Sequence, residues 1–147
     1  MTDEEYTRSF FDDDQFVKML GIEIKELTQT QATVTAQVKR EFLNANGCVQ
    51  GGMLYTMADF AFALLQNHLH PMTVTQGGQV HYVRPAYTQT LTAVATETLR
   101  AGRNTLSQVQ IFDDKGEVVC VCNFNGFVKD VNREEWTWAM KGAKEQL

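Results

Sequence analysis

Residues 44–66, with the sequence NANGCVQGGMLYTMADFAFALLQ, join a polar loop that contains glycines to an apolar helix. Gly51 and Gly52 stand where the loop meets the predicted helix, whose first N–H groups have no acceptor within the helix. These donors and the helix dipole favour negative charge, and glycine lets an oxygen atom approach the backbone closely. The pattern therefore predicts a backbone N–H group that can act as an oxyanion hole.

Asp59 is the one acid in this helix, which is apolar on almost every face over residues 53–66. The run has no proline and many good helix formers, and it is too short and too interrupted to span a bilayer. A carboxylate in such surroundings is costly to bury unless it is paired, hydrogen-bonded or protonated. No basic residue lies within one turn of it. We therefore favour a catalytic carboxylate over a structural cap or a solvated gap in the helix.

The elements that must position these residues follow from hydrophobic periodicity and turn signals. We expect a helical lead-in over residues 2–20, strands at 22–27, 31–38, 73–83, 91–99, 105–112 and 117–129, and a helical tail at 132–147. Short turns at 102–104 and 113–116 imply antiparallel pairing of the late strands. The predicted fold class is α+β, with one antiparallel sheet curled around one long central helix. The strand surface is large for one helix, so we expect the far face of the sheet to meet a second subunit.

Composition limits the possible partners. A chain of 147 residues is most simply one domain, here residues 1–147 with the lead-in at 1–20 and the tail at 131–147. The net charge of −5 indicates no nucleic-acid partner and no membrane partner. The acidic start has no apolar signal segment, and the three cysteines are an odd number, so we expect reduced thiols and a cytoplasmic location.

The pattern N-x-x-G-x-x-Q-G-G from Asn44, followed by Asp59, resembles the hotdog-fold acyl-CoA thioesterases, and among them the phenylacetate-pathway (PaaI-like) branch. Residues 16–22, 82–86 and 114–116 are similar to further segments of that family. The similarity extends over residues 11–129 or so. The resemblance implies a hotdog fold and hydrolysis of an acyl-CoA thioester to a free acid and coenzyme A. It implies no metal and no other cofactor, because coenzyme A is part of the substrate.

The resemblance also assigns roles to residues. The Gly51 N–H would polarise the thioester carbonyl, and Asp59 would be the nucleophile or the general base for water. Asn44 would bind the carbonyl region or the attacking water, and Thr75 would hold that water. A turn residue before glycine is an equally good interpretation of Asn44, and an ordinary strand threonine is a slightly better one of Thr75.

Four residues are candidates for substrate binding. Gly52 extends the glycine pair at the helix start. Arginine suits the forked geometry of phosphate groups, so the phosphates of coenzyme A could contact Arg84, Arg100 or Arg103. Solvated surface charge is the alternative interpretation of each arginine.

Gln50 departs from the family pattern, which has histidine before the glycine pair. Its amide can donate and accept hydrogen bonds but cannot titrate, and it is equally well interpreted as a helix-entry residue or an active-site donor. This substitution supports one rival hypothesis, a non-catalytic hotdog protein that binds acyl-CoA. A second rival, a hotdog dehydratase or hydratase, typically needs a titrating histidine near the carboxylate, which this loop does not have.

The spacing of Gly51 and Asp59 predicts a shared active site. Eight residues at ~1.5 Å per residue separate them by roughly 12 Å along the helix axis. Both groups must lie within ~3 Å of one thioester, which one helix cannot achieve. Two such helices related by a two-fold axis can. We therefore expect a homodimer as the smallest active unit, and the resemblance adds a dimer of dimers.

Overall fold

The structure, a computed structural model, describes residues 1–146. The helices are α1 (Asp3–Phe11), α2 (Gln15–Leu20), α3 (Gly51–Leu69) and α4 (Arg133–Lys144), with a short 3-10 turn at Arg40–Phe42. The strands are β1 (Glu23–Leu27), β2 (Gln31–Gln37), β3 (Thr73–Tyr82), β4 (Thr90–Ala101), β5 (Asn104–Phe112) and β6 (Val118–Val128). Within these residues no helix combines the length and apolar character that a membrane span requires.

The six strands form one antiparallel sheet in the order β1-β2-β4-β5-β6-β3. β3 precedes β4 in the chain but lies at the far edge of the sheet, beside β6. Its other edge has no neighbouring strand within residues 1–146. An edge strand of ten residues exposes a row of unpaired backbone groups, which natural proteins usually cover.

The long helix α3 packs against the inner face of this sheet, as predicted. Its apolar residues with no exposed surface are Met57, Ala58, Ala61, Leu64 and Leu65. Burial on so many faces explains why the sequence is apolar almost all round. Each fully buried leucine contributes roughly 1.5–3 kcal/mol to folding. The helix is longer than the apolar run, since it begins at Gly51 and ends at Leu69, just before Pro71.

The lead-in before Gly21 is helical but divided into α1 and α2. The Asp14 side chain accepts a hydrogen bond from the Val17 N–H at 3.0 Å and caps the second helix, which explains the break. α1 contacts α3 through Phe11, whose ring lies edge-on to Phe60 at 5.8 Å between centroids. α4 covers part of the tail predicted at 131–147, whose final residue lies outside the described residues.

A β-bulge in β3 sets which of its side chains face α3. Thr75 pairs with Gly126 and Gly78 pairs with Phe124, so Gln76 is the extra residue. Directly paired residues share a face, and Phe124 is buried on the inner face. The bulge therefore turns both Thr75 and Gly78 towards α3, three residues apart.

Candidate active site

The start of α3 presents a backbone donor. Gln50 is the N-cap residue, and its side-chain oxygen accepts a hydrogen bond from the Gly52 N–H at 2.5 Å. No hydrogen bond within residues 1–146 uses the Gly51 N–H. Gln50 thus caps the helix through its side-chain oxygen, and its role as an active-site donor stays a prediction. The Gly51 N–H remains available to bind an oxygen atom.

Tyr82 packs directly against Gly51. The Tyr82 hydroxyl donates a hydrogen bond to the Gly51 carbonyl oxygen at 3.0 Å. A Cβ atom added at Gly51 would lie 2.8 Å from the ring carbon Cζ of Tyr82. The aromatic ring therefore occupies the space next to the helix start.

A groove of about 390 Å³ lies beside this donor, and its lining includes Asn44, Gly51, Tyr82 and Arg84. Arg84 is exposed and forms an ion pair with Glu117 at 2.8 Å. The groove thus places a polar amide, a free backbone donor and a guanidinium around one space, which suits a ligand with a carbonyl and phosphates.

The Asn44 side chain organises the loop before α3. Its Oδ1 accepts hydrogen bonds from the N–H groups of Asn46 at 2.9 Å and Cys48 at 3.3 Å. Its Nδ2 donates to the Cys48 sulfur at 3.3 Å. This is the turn arrangement that the sequence left as one of two alternatives, and it holds the amide at the groove.

Asp59 lies further along α3, half-buried against β3. The Thr75 hydroxyl donates a long hydrogen bond of 3.4 Å to Asp59 Oδ1. Burial raises the pKa of Asp59 above its usual value, the Thr75 hydrogen bond lowers it, and the Asp14 charge raises it further. Within residues 1–146 no cation pairs with this carboxylate. The arrangement yields a carboxylate that is a stronger proton acceptor than an exposed aspartate.

Sequence reasoning missed Tyr55, which lies midway between these two groups on α3. A Cβ added at Gly78 would lie 2.5 Å from the Tyr55 hydroxyl oxygen, so the phenol is seated directly over Gly78. We call the three facing pairs Gly51–Tyr82, Tyr55–Gly78 and Asp59–Thr75 the α3–β3 seam. The spacing of four residues from Gly51 to Tyr55 and again to Asp59 is the signal that could have found it.

The other two candidate arginines lie near the opposite end of α3. Arg100 donates to Nδ1 of His70 at 2.8 Å and to the Gly102 carbonyl at 3.1 Å. Arg103 lies 3.5 Å from the Asp130 carboxylate. The structure brings only Arg84 of the three to the groove beside Gly51. A phosphate-binding role for Arg100 and Arg103 stays a prediction.

Within residues 1–146 no group of three or more His, Cys, Asp or Glu side chains is placed to hold a metal ion. The chemistry that the chain's own residues offer is acid–base and electrostatic. Gly51 provides a donor and Asp59 a base, separated along α3 by roughly 12 Å at ~1.5 Å per residue.

A sequence profile of the family described as "domain of unknown function (DUF4442)" matches residues 10–128. The acyl-coenzyme A thioesterase PaaI of Escherichia coli (strain K12) is 27% identical over 114 residues, which are 77% of this chain and 81% of that protein. The structure of the E. coli PaaI protein has a TM-score of 0.82 at 24% identity and covers 86% of this chain and 93% of that one.

Two further solved structures are similar. The TT0310 protein of Thermus thermophilus has a TM-score of 0.73 at 30% identity, covering 78% of this chain and 97% of that one. A hypothetical thioesterase of Streptococcus pneumoniae TIGR4, crystallised with coenzyme A, has a TM-score of 0.74 at 24% identity, covering 81% and 96%. These likenesses confirm the predicted hotdog fold and the resemblance to PaaI-like hotdog proteins.

Proposed function

The chain belongs to the DUF4442 family, and from that premise we propose that it hydrolyses acyl-CoA thioesters to a free acid and coenzyme A. One observation carries the proposal: Asp59, the one acid of α3, is half-buried beneath Thr75, no cation of residues 1–146 pairs with it, and burial raises its pKa. The similar proteins support the substrate class, since one is an acyl-coenzyme A thioesterase and another holds coenzyme A.

In the proposed reaction the Gly51 N–H donates to the thioester carbonyl oxygen and stabilises the charge that develops there. Asp59 either removes a proton from water or attacks the carbonyl carbon itself. In the second route Asp59 displaces the coenzyme A thiolate to form a mixed anhydride, and water then hydrolyses the anhydride to the acid and free Asp59. In the water route a C–O bond forms, the C–S bond breaks, and the proton taken up by Asp59 is returned to the coenzyme A sulfur. Thr75 orients the carboxylate, and no group beyond substrate, water and protein is required.

The active site is shared between two chains in this proposal, so the homodimer is its smallest active unit. The edge strand β3 carries Tyr82, which faces Gly51, near one end and Thr75, which faces Asp59, near the other. Antiparallel pairing of two β3 edges about a two-fold axis would cover both exposed edges. It would also bring Gly51 of one copy towards Asp59 of the other and create two equivalent sites. Dimers of dimers, as the family resemblance suggests, are part of the same proposal.

A non-catalytic acyl-CoA-binding protein is the second candidate function. The observation in its favour is Gln50, whose side-chain oxygen caps α3 and cannot titrate. The groove and the Gly51 donor could bind a thioester without its hydrolysis.

Release of free thiol from a panel of acyl-CoAs by the purified protein tests the proposal, with Asp59→Asn as the matched control. We expect turnover by the wild type that the variant loses, while calorimetry shows that both bind coenzyme A. Binding without turnover by the wild type establishes the second candidate instead. Absence of both binding and turnover across the panel rejects both.

A further inference from the structure

Tyr55 is the one α3 residue of the α3–β3 seam that the proposed reaction does not use. Its ring lies edge-on to Phe124, with 5.6 Å between centroids, and Phe124 stacks on Phe62 at 5.0 Å. Its hydroxyl already fills the space above Gly78, where a Cβ atom would be 2.5 Å away. The phenol is therefore held from two sides and cannot swing towards the sheet.

The symmetry of the shared site, on which this inference rests, places Tyr55 at the axis. If Gly51 of one copy faces Asp59 of the other and the reverse, residue 55 is the midpoint of the exchanged pair. The residues of β3 place the axis at the same height along α3, because the midpoint between Thr75 and Tyr82 falls next to Gly78, which faces Tyr55. Two Tyr55 side chains would then meet at the two-fold axis, between the two active sites.

The direction of the substrate follows from the groove. Coenzyme A is large and anionic, so it must lie where the site opens to solvent, which is the groove of Asn44, Gly51 and Arg84. With the carbonyl oxygen at the Gly51 N–H, the acyl group points away from the sulfur, along the seam. Tyr55 lies one turn from Gly51, roughly 6 Å along the axis, and is the first side chain of the seam on that path.

We infer that Tyr55 closes the acyl end of each active site and sets the upper limit on acyl size. The two phenols form a wall between the sites, with Phe124 and Phe62 behind it. The substrates are thus compact acyl groups, a few carbons long. Long-chain fatty acyl groups are excluded because the wall has no space beyond it.

The test measures kcat/KM for acetyl-, butyryl-, hexanoyl- and decanoyl-CoA with wild type and Tyr55 variants. We expect the wild type to prefer the short members. Tyr55→Ala should raise the ratio of decanoyl- to butyryl-CoA activity at least about tenfold, since one methylene in an apolar pocket changes specificity by 10-fold or more. Tyr55→Phe should keep the wild-type ratio, because the ring forms the wall.

The controls make the result decisive. Trp138→Ala removes an aromatic ring that is 80% exposed on α4, far from the seam, and should leave the ratio unchanged. If Tyr55→Ala does not fold, Tyr55→Trp takes its place and should lower hexanoyl-CoA activity relative to acetyl-CoA. An active wild type that prefers decanoyl-CoA, or whose chain-length preference is unchanged in the Tyr55 variant that folds, overturns the inference while the thioesterase proposal stands. A wild type that hydrolyses none of the four overturns the thioesterase proposal itself.

Discussion

At the scale of single residues, Asp59 has properties that suit catalysis at the expense of stability. Burial favours its protonated form more than the 3.4 Å hydrogen bond from Thr75 favours its charged form, so the pKa is raised. A base with a raised pKa accepts a proton more readily. The charged carboxylate, in turn, is less stable in the folded protein than in water.

We expect Asp59→Asn to lower turnover of acyl-CoA at least ~10²-fold, the low end for a positioned acid–base group. The amide keeps the shape of the side chain and removes the base and the nucleophile. Thiol release under saturating substrate measures the loss. Near-normal turnover in variant protein with a wild-type circular dichroism spectrum would contradict the mechanism.

The same substitution should raise the melting temperature at neutral pH. A group whose folded pKa is raised contributes stability below its unfolded pKa and loses it as the pH rises through the folded pKa. At neutral pH the wild type therefore carries the cost of a buried charge, which asparagine does not. Melting curves from pH 4 to 8 should show the variant's advantage shrinking towards about pH 4, where the unfolded aspartate is half protonated. An advantage that is constant with pH would assign it to another cause.

Thr75 offers a finer probe of the carboxylate. Its hydrogen bond lowers the pKa of Asp59, so Thr75→Val should raise that pKa further. The acid limb of the kcat/KM profile should then move to higher pH. Thr75→Ser keeps a hydroxyl and serves as the matched control, with a limb at the wild-type position. Coincident limbs for Val and Ser would show that Thr75 does not act on Asp59.

At the scale of elements, the bulge in β3 adjusts the spacing of its inward-facing residues to the spacing of the helical turns of α3. Residues four apart on α3 are about 6 Å apart along its axis. The extra residue Gln76 lets Thr75 and Gly78 both face α3, so each contacts a different turn. The seam depends on this local irregularity rather than on regular alternation.

The adjacent glycines of β3 should therefore respond differently to alanine. A Cβ at Gly78 would lie 2.5 Å from the Tyr55 hydroxyl and 2.7 Å from two ring carbons of Phe124, whereas nothing lies within 4 Å of one at Gly77. We expect Gly78→Ala to cost about 1–3 kcal/mol of unfolding free energy. Gly77→Ala should change it by less than about 0.5 kcal/mol. Urea unfolding measures both, and equal effects would contradict the close approach at Gly78.

Local patterns were sufficient to predict most elements. In β2 the alternation of Ala32, Val34 and Ala36 marks the buried face, and all three are at most 2% exposed. The mostly apolar run around Asp59 predicted α3. Periodicity within one segment carries this information, because each buried face repeats along its own element.

The contacts between elements could not be predicted in the same way. Tyr82 lies 31 residues after Gly51, and their contact depends on how β3 is aligned with α3. That alignment is set by the bulge at Gln76, for which the sequence offers only the neighbouring glycine pair. The contacts of Tyr55 and Tyr82 were missed for this reason. Gly51 and Asp59 could be proposed from the sequence because both belong to one segment.

At the scale of the whole molecule, the two halves of the proposed site lie at opposite ends of the α3–β3 seam in one chain. The Gly51 donor lies at the start of α3, and Asp59 lies two turns further on. The exposed edge of β3 runs beside both. In the proposed dimer a second copy would both complete the site and cover the edge of β3, so one two-fold interface would meet both needs.

Mixing two inactive variants tests this directly. Asp59→Asn removes the base, and Gly51→Pro removes the donor N–H at a first-turn helix position that tolerates proline, after a residue that is already extended. Random pairing yields half heterodimers, each with one intact site of two. Co-refolded protein should thus regain roughly a quarter of wild-type activity.

Gly51→Ala is the matched control for the donor, because it places the same Cβ against Tyr82 but keeps the N–H. We expect Gly51→Pro to be slower than Gly51→Ala by roughly 10²-fold, as for loss of one oxyanion donor. Asp59→Asn protein that is refolded alone in the same way gives the background activity. Differently tagged chains show whether heterodimers have formed. If heterodimers are present but no activity returns, or if an isolated monomer is fully active, the shared site is rejected.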